Sequence, residues 1–301
     1  MLSEIILKME GISKSFPGVR ALHNVDFTLR RGEIHALMGE NGAGKSTLIK
    51  IITGVYEKDA GQITIEGRPV QFKSPQDAQN MGIGTVFQEI ALCPNLTVAE
   101  NMFIGRSRSN FVKWKQMNAK AAEMLKSLGI PASPTQELAS CSIAVQQMIA
   151  IARAVDMDCK ILILDEPTSS LDEDEVQKLF ALMRELKARG VGIIFITHFI
   201  DQVYEISDRI TVLRNGELIG EYETAALPQI ELISKMMGKA LSDVTAMKKH
   251  EPPKAENSVP VFEAKELSSA AGVKPFNFAI QKGEVNGFAG LLGSGRSESV
   301  R

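Results

Sequence analysis

The stretch GENGAGKST, residues 39–47, follows the apolar run Ile34 to Met38 and precedes a helix-like segment, Leu48 to Ile52. Its frame, G-x-x-x-x-G-K-[ST], is that of a phosphate-binding loop. Gly39, Gly42 and Gly44 let the backbone turn tightly, so that N–H groups through Glu40, Asn41 and Ala43 can wrap a phosphate. Lys45 reaches the terminal phosphates, the Ser46 hydroxyl can sit on Mg²⁺, and Thr47 opens the helix whose dipole adds to the anion site. A chance glycine turn would not need a strand before it and a helix after it. The ligand implied is a nucleoside triphosphate, and the class of enzyme stays open at this point.

Composition narrows that class. The chain has 301 residues, 44% of them apolar, enough for more than one globular domain. A net charge of −2 gives no footprint for nucleic acid or for an anionic membrane surface. Cys93, Cys141 and Cys159 have neither metal-ligand nor disulfide spacing, which suits a reducing compartment. The start, MLSEIILKMEG, lacks the apolar core of a signal peptide. No apolar run approaches the ~20 residues that span a bilayer, so any membrane partner would be another polypeptide.

Self-comparison gives the organisation. VDFTLRRGEIHALMGENGAGKST, residues 25–47, aligns without gaps on FNFAIQKGEVNGFAGLLGSGRSE, residues 276–298, at a constant offset of 251. So long a period marks a duplicated domain rather than a solenoid. MKKHEPPKAENSVP, residues 247–260, has the charge and prolines of a linker. The expected division is a first domain over 1–246, the linker, and the start of a second domain over 261–301, truncated just after its own phosphate loop.

Within the first domain, strand-like runs cover 5–9, 26–29, 34–38, 63–66, 84–87, 161–165, 193–197 and 210–214. Helical periods cover 45–52, 117–128, 143–156, 173–188 and 228–237. ILILD and GIIFITH are apolar on both faces, as buried parallel strands are. The mostly helical block from about 89 to 157 reads as an insert in an α/β core. ILILDEPTSSLD, residues 161–172, delivers Asp165 to a strand's C-terminal end, where open α/β sheets place ligands. Asp165 would hold Mg²⁺, and Glu166 could polarise an attacking water.

The order of phosphate loop, Gln88 after a strand, helical insert, LDEPTSSLD and THF resembles the nucleotide-binding domain of an ABC transporter. The resemblance covers residues 5 to about 240. It implies a P-loop NTPase core with an N-terminal β-subdomain and an inserted α-helical subdomain, and it implies ATP with Mg²⁺. By that resemblance Phe16, with Val19 beside it, would stack on adenine, although a phenylalanine there serves a core equally well. Gln88 would touch Mg²⁺ or the lytic water, and His198 would contact the γ-phosphate. A strand-end histidine is also a common structural residue. Asp172 would lie at a dimer interface, with helix capping as the competing role.

The sequence departs from the family pattern twice. Where ABC domains carry LSGGQ, residues 141–145 read Cys-Ser-Ile-Ala-Val: Ser142 remains, but Ile143 and Ala144 replace glycines. Side chains there hinder close approach of backbone to phosphate. In the second loop Arg296 stands in the lysine position and Glu298 follows Ser297. This combination is similar to the tandem ATPases of monosaccharide importers (the ribose, galactose, xylose and autoinducer-2 group), in which one composite site is intact and the other degenerate. GIGTVFQE, THFIDQVYEISDRITVLRNGE and LPQIELISKMMGK look most like the galactofuranose-importing branch. The implied function is an ATP-hydrolysing motor of a sugar importer, peripheral on the cytoplasmic face of a bacterial inner membrane. Its expected partners are permease subunits, a periplasmic or extracellular sugar-binding protein acting indirectly, and the second ABC domain, with no nucleic acid. The alternative is a soluble tandem ABC ATPase acting on ribosomes or nucleic acid, for which a basic surplus would be expected. EIALCPNLTVAENMF, residues 89–103, is the segment expected to meet a permease, through Leu92 and Leu96.

Overall fold

A computed structural model describes residues 4–87, 91–105, 112–156, 158–240, 259–269 and 273–288. The chain divides into two compact units, Met1–Val244 and Thr245–Arg301.

In the first unit, β1 (Ile5–Phe16) and β2 (Val19–Arg30) form a long hairpin. Alternation places Val25, Phe27 and Leu29 of β2 on one buried face, and the register shift around Asn24 (φ +50°) brings Leu22 into the same core. The register shifts past Gly11 (φ +62°), whose N–H donates to Asp26 Oδ1 at 2.7 Å. Next come β3 (Ile34–Met38), α1 (Lys45–Ile52), β4 (Ala60–Ile65), β5 (Arg68–Val70), α2 (Pro75–Asn80) and β6 (Ile83–Val86). The helical insert holds α3 (Val98–Phe103), α4 (Trp114–Ser127) and α5 (Ile143–Val155). The core then resumes with β7 (Ile161–Asp165), α6 (Glu173–Ala188), β8 (Gly192–Ile196), α7 (Ile200–Ile206), β9 (Arg209–Arg214), β10 (Glu217–Glu223) and α8 (Gln229–Met237).

Two sheets result. The antiparallel one has the order β2-β1-β4-β5, and the six-stranded one the order β10-β9-β3-β8-β7-β6. In the larger sheet β9, β3, β8, β7 and β6 run parallel, and β10 closes the edge antiparallel. The apolar runs of β3, β7 and β8 are buried on both faces, as parallel central strands require. Alternate residues serve different cores. Ile161, Ile163, Ile194 and Ile196 pack with α1 and the β1–β2 hairpin. Leu162, Leu164, Ile193 and Phe195 pack with α5, α6 and the insert. A third cluster joins Met38, Ile210 and Val212 to Val203 of α7 and Leu232 of α8.

The sequence-based boundaries of β3, α1, β7 and α6 match those observed. β8 stops at Ile196, so Thr197 and His198 lie in the following turn rather than in the strand. α4 starts at Trp114, earlier than its periodicity indicates, and the β1–β2 hairpin is longer than either strand reading. The unforeseen elements are β5, α2, α3 and α7, each seven residues or fewer, and the partly buried edge strand β10.

The second unit contributes β11 (Phe262–Ser269) and β12 (Val273–Ile280), an antiparallel hairpin. Its pairs Phe262↔Ile280, Ala264↔Phe278 and Leu267↔Phe276 repeat Leu7↔Leu29, Met9↔Phe27 and Ile12↔Val25. Glu266 (φ +52°) donates its N–H to Asn277 Oδ1 at 2.7 Å, as Gly11 does to Asp26. Gln281 N–H donates to Glu284 Oε2 at 2.7 Å, as Arg30 N–H does to Glu33 Oε2 at 2.6 Å. The linker residues 247–258 and the second loop, with Arg296, Ser297 and Glu298, lie outside the described residues.

Candidate nucleotide site

Strands β3, β8 and β7 are neighbours and parallel, so their C-terminal ends open side by side. From them emerge the loop 39–47, the turn bearing His198, and the Asp165–Glu166 pair. Asp165 lies level with Ile196 across the ladder. Sequence distance is thereby erased: residues more than a hundred apart share one edge of one sheet.

The loop is shaped for backbone approach. Gly44 sits at φ +105° as the N-cap of α1, and a Cβ there would lie 2.8 Å from Ala21 O and 2.8 Å from Leu22 Cδ2. Gly42 is at φ +81° with open space around it. Ala43 N–H donates to Glu40 O at 3.1 Å, and Ala43 O accepts from Gly216 N–H at 3.1 Å, pinning the loop to the β9–β10 turn. The N-terminus of α1 has no side-chain cap and no acidic residue in its first turn. Its N–H groups are therefore left for an outside anion. Lys45 Nζ donates to Gly39 O at 2.6 Å and Glu40 O at 3.0 Å, folded onto its own loop. Burial holds its pKa below the usual lysine value, against the pull of Glu166 and Asp165.

Burial, then the neighbouring Glu166, pushes the Asp165 carboxyl above the ordinary aspartate range, with Lys45 and Lys50 opposing. A half-buried carboxylate among so few compensating charges is a site that favours a cation. No group of three or more His, Cys, Asp or Glu side chains is arranged to hold a metal ion among the described residues. One carboxylate beside a phosphate loop suits Mg²⁺, which is commonly held by one or two carboxylates, water and substrate phosphates. ATP and Mg²⁺ thus fit the residues present.

Glu166 is held at φ +48°, an uncommon conformation for a side-chain-bearing residue and one that clusters at functional sites. Its N–H donates to Ile196 O at 2.9 Å, and its Oε1 lies 3.4 Å from His198 Nδ1. The His198 side chain is 59% exposed, so it lines the opening rather than the core. Phe199 N–H donates to Thr197 Oγ1 at 3.2 Å and shapes that turn. Thr168, 2% exposed, donates its hydroxyl to Gln202 Oε1 at 2.6 Å.

Other expected residues lie as follows. Phe16 and Val19 pair across the hairpin tip; Val19 is 61% exposed, and Phe16 meets Tyr56 edge-on at 5.2 Å. The same hairpin touches the loop at Gly44 through Ala21 and Leu22. Ser142 caps α5, accepting from Val145 N–H at 3.4 Å; Ile143 is exposed and Ala144 buried. Asp172 caps α6 in a reciprocal box with Glu175, so the capping role is real whatever else it does. Gln88 lies outside the described residues.

Three residues escaped sequence reasoning: Thr168, Gln202 and Asn101. Asn101 is fully buried; it accepts from Cys93 N–H and donates to the carbonyls of Cys93, Leu96 and Thr97. It therefore holds the segment expected to meet a permease. Leu92 there packs partly against the insert's core. A lone asparagine or threonine inside a polar stretch gives no periodic signal, so only contacts reveal these roles.

A family model described as ABC transporter matches residues 22–169. The chain is 51% identical over 297 residues to the galactofuranose transporter ATP-binding protein of Escherichia coli (strain K12), covering 98% of this chain and 59% of that protein. It is 50% identical over 301 residues to the fructose import ATP-binding protein of Bifidobacterium longum, covering 98% of this chain and 59% of that protein. It thus spans less than two thirds of the length of the curated relatives it matches. A crystal structure of an ATP-binding cassette of an ABC transporter, in its ADP conformation, superposes with a TM-score of 0.69 at 26% identity, covering 80% of this chain and 98% of that one. Motif order, sheet topology and these matches agree: the chain carries an ATP-binding cassette of the ABC transporter family.

Proposed function

We propose that this chain is the ATP-binding and ATP-hydrolysing part of a bacterial sugar importer, with galactofuranose or another monosaccharide as cargo. The observation that carries the reading is the meeting of loop 39–47, the Asp165–Glu166 pair and His198 at adjacent strand ends. Identity to import ATP-binding proteins over nearly the whole chain supports the transport context. No helix among the described residues is long and apolar enough to cross a membrane; in this reading permease subunits do the spanning. The protein works on the cytoplasmic face of the inner membrane, supplied with sugar by an external binding protein. The repeated register of the second hairpin supports a second, degenerate cassette in the same polypeptide.

The residues divide the work. Phe16 and Val19 offer an apolar platform for adenine. The N–H groups of residues 40–47 bind the phosphates, and Lys45 leaves its loop carbonyls to neutralise their terminal charge. Ser46 and Asp165, together with Gln88, would supply oxygens for Mg²⁺, whose charge would screen that of the phosphates. Glu166 accepts a proton from the attacking water, and His198 hydrogen-bonds the departing phosphate. Ser142 and Asp172 face the opposite cassette, with Ile143 and Ala144 weakening the first signature. At the permease side, Phe87, Ala91 and Leu92 line a cavity of about 220 Å³ beside α5 and the edge strand β6.

The test is Glu166→Gln in the full-length protein. The amide preserves shape but takes no proton, so binding should persist while turnover falls by about 10²–10⁴. Hydrolysis at the parental rate would remove Glu166 as the base and with it this account of the site.

A further inference from the structure

We infer that Thr168 and Gln202 form a positioning pair that holds Glu166 and His198 in register for hydrolysis. This rests on the ATPase reading above and assigns a role to two residues that touch no reacting atom. Glu166 and His198 belong to separate segments, one leaving β7 and the other leaving β8. Their ladder ends at Asp165↔Ile196, so beyond it other contacts must hold the segments together. Among the described residues, two hydrogen bonds cross between residues 166–172 and 196–202: Glu166 N–H to Ile196 O at 2.9 Å, and Thr168 Oγ1 to Gln202 Oε1 at 2.6 Å; farther from the reactive pair, Gln177 and Arg184 of α6 donate to Glu205 of α7 at 2.8 and 3.4 Å. The reactive pair, 3.4 Å apart, is bracketed by the first two links.

The inner link is backbone and survives any side-chain change. The outer one depends on two side chains, and its donor is 2% exposed, where water does not readily replace a lost partner. Thr168 is further tied to its own turn, its carbonyl accepting from Leu171 N–H at 3.2 Å. Gln202 stands one turn into α7, whose N-cap Phe199 follows His198 directly. Moving Gln202 relative to Thr168 therefore swings the His198 turn against Glu166. Asp172, four residues after Thr168, caps α6, so displacement at the expected cassette interface reaches the reactive pair through the same bond.

The experiment uses full-length protein and steady-state ATP hydrolysis, with nucleotide affinity and thermal unfolding measured alongside. Thr168→Val keeps shape and removes the donor; Gln202→Met removes the acceptor. Each should lower kcat roughly tenfold, as a lost buried hydrogen bond that loosens a reacting geometry does, with KM for ATP within about twofold. Thr168→Ser restores the hydroxyl and should stay within about threefold of the parent, while the double variant should be no slower than either single one. Gln202→Met, at a partly exposed position, keeps the test alive if Thr168→Val is poorly folded. Parental kcat in both single variants, beside a Glu166→Gln protein that no longer turns over, would overturn the pair and leave the ATPase reading standing. Parallel losses in kcat, KM and melting temperature, unrescued by Thr168→Ser, would reduce it to a packing contact and overturn it equally. Absence of ATP hydrolysis by the parent would instead sink the ATPase reading, whereas parental turnover in Glu166→Gln would remove Glu166 as the base and this pair's role with it.

Discussion

Two glycines of the phosphate loop separate backbone conformation from steric fit. Gly42, at φ +81°, has no atom within 4 Å of where a Cβ would stand. Gly42→Ala therefore costs only the conformational penalty of a left-handed alanine, about 1–2 kcal/mol. Gly44, at φ +105°, has the same conformational problem, but its Cβ would lie 2.8 Å from Ala21 O and 2.8 Å from Leu22 Cδ2. Leu22 is fully buried in the hairpin and the carbonyl is backbone, so neither yields without moving β2. Adding an overpacking cost of about 1–3 kcal/mol brings Gly44→Ala to about 2–5 kcal/mol. At about 2–4 °C per kcal/mol for a domain of this size, Gly42→Ala should melt about 2–8 °C below the parent and Gly44→Ala distinctly lower. Because Gly44 is also the N-cap of α1, its variant should lose the stabilisation that Mg-ATP confers on the parent. Calorimetric melts with and without Mg-ATP check both points. Equal losses, or a larger loss for Gly42→Ala, would mean that the loop does not press on the hairpin as described.

Asp165→Asn should raise the nucleotide-free melting temperature at neutral pH while abolishing Mg²⁺-dependent turnover. Burial and Glu166 raise the carboxyl's pKa in the fold, so its contribution favours the fold below about pH 4 and is lost as pH rises; the variant's advantage should therefore shrink in acid. His35 is fully buried, its Nε2 2.7 Å from Thr211 Oγ1, and burial depresses its pKa against the opposing pull of Glu33. Its stabilising contribution is present above about pH 6.5 and lost as pH falls, so His35→Gln should flatten the melting temperature between about pH 6.5 and 5, compared with the parent over the same range. Asn101→Leu should speed hydrogen exchange across residues 93–97 by at least roughly tenfold while leaving ATP affinity within about twofold, because it removes the loop's side-chain bonds far from the phosphate loop. Unchanged exchange there would show that α3 holds the loop without Asn101.

What was legible in the chain follows from how each feature is encoded. Loop 39–47 and the run 161–172 could be read because phosphate and Mg²⁺ chemistry restricts residue types at fixed spacing, and β3 and β7 could be placed because a strand buried on both faces reads as a mostly apolar run, with His35 the one buried polar side chain of β3. β5, α2, α3 and α7 were not legible because elements of seven residues or fewer complete at most two turns or a few ladder pairs, too little to show a period. His198 is expected at the end of its strand, because the run Ile193 to Ile196 gives no sign of stopping, but Thr197 turns the chain by accepting from Phe199 N–H, and that turn leaves the imidazole exposed. Asn101, Thr168 and Gln202 are illegible for a different reason: each acts through a single partner far along the chain or through backbone carbonyls, which leaves no spacing to recognise. The site thus has two layers. The groups that meet nucleotide are confined by chemistry to short motifs, whereas the groups that hold those motifs against each other are ordinary polar residues chosen by geometry. Lys45 belongs to both: its ammonium ties the loop together through Gly39 O and Glu40 O, and on the proposed reading the same charge would meet the terminal phosphates. On the proposed reading, binding would exchange these two carbonyl contacts for phosphate ones, and the loop's own hydrogen bonds would set part of the selectivity for a highly charged ligand over a weak anion.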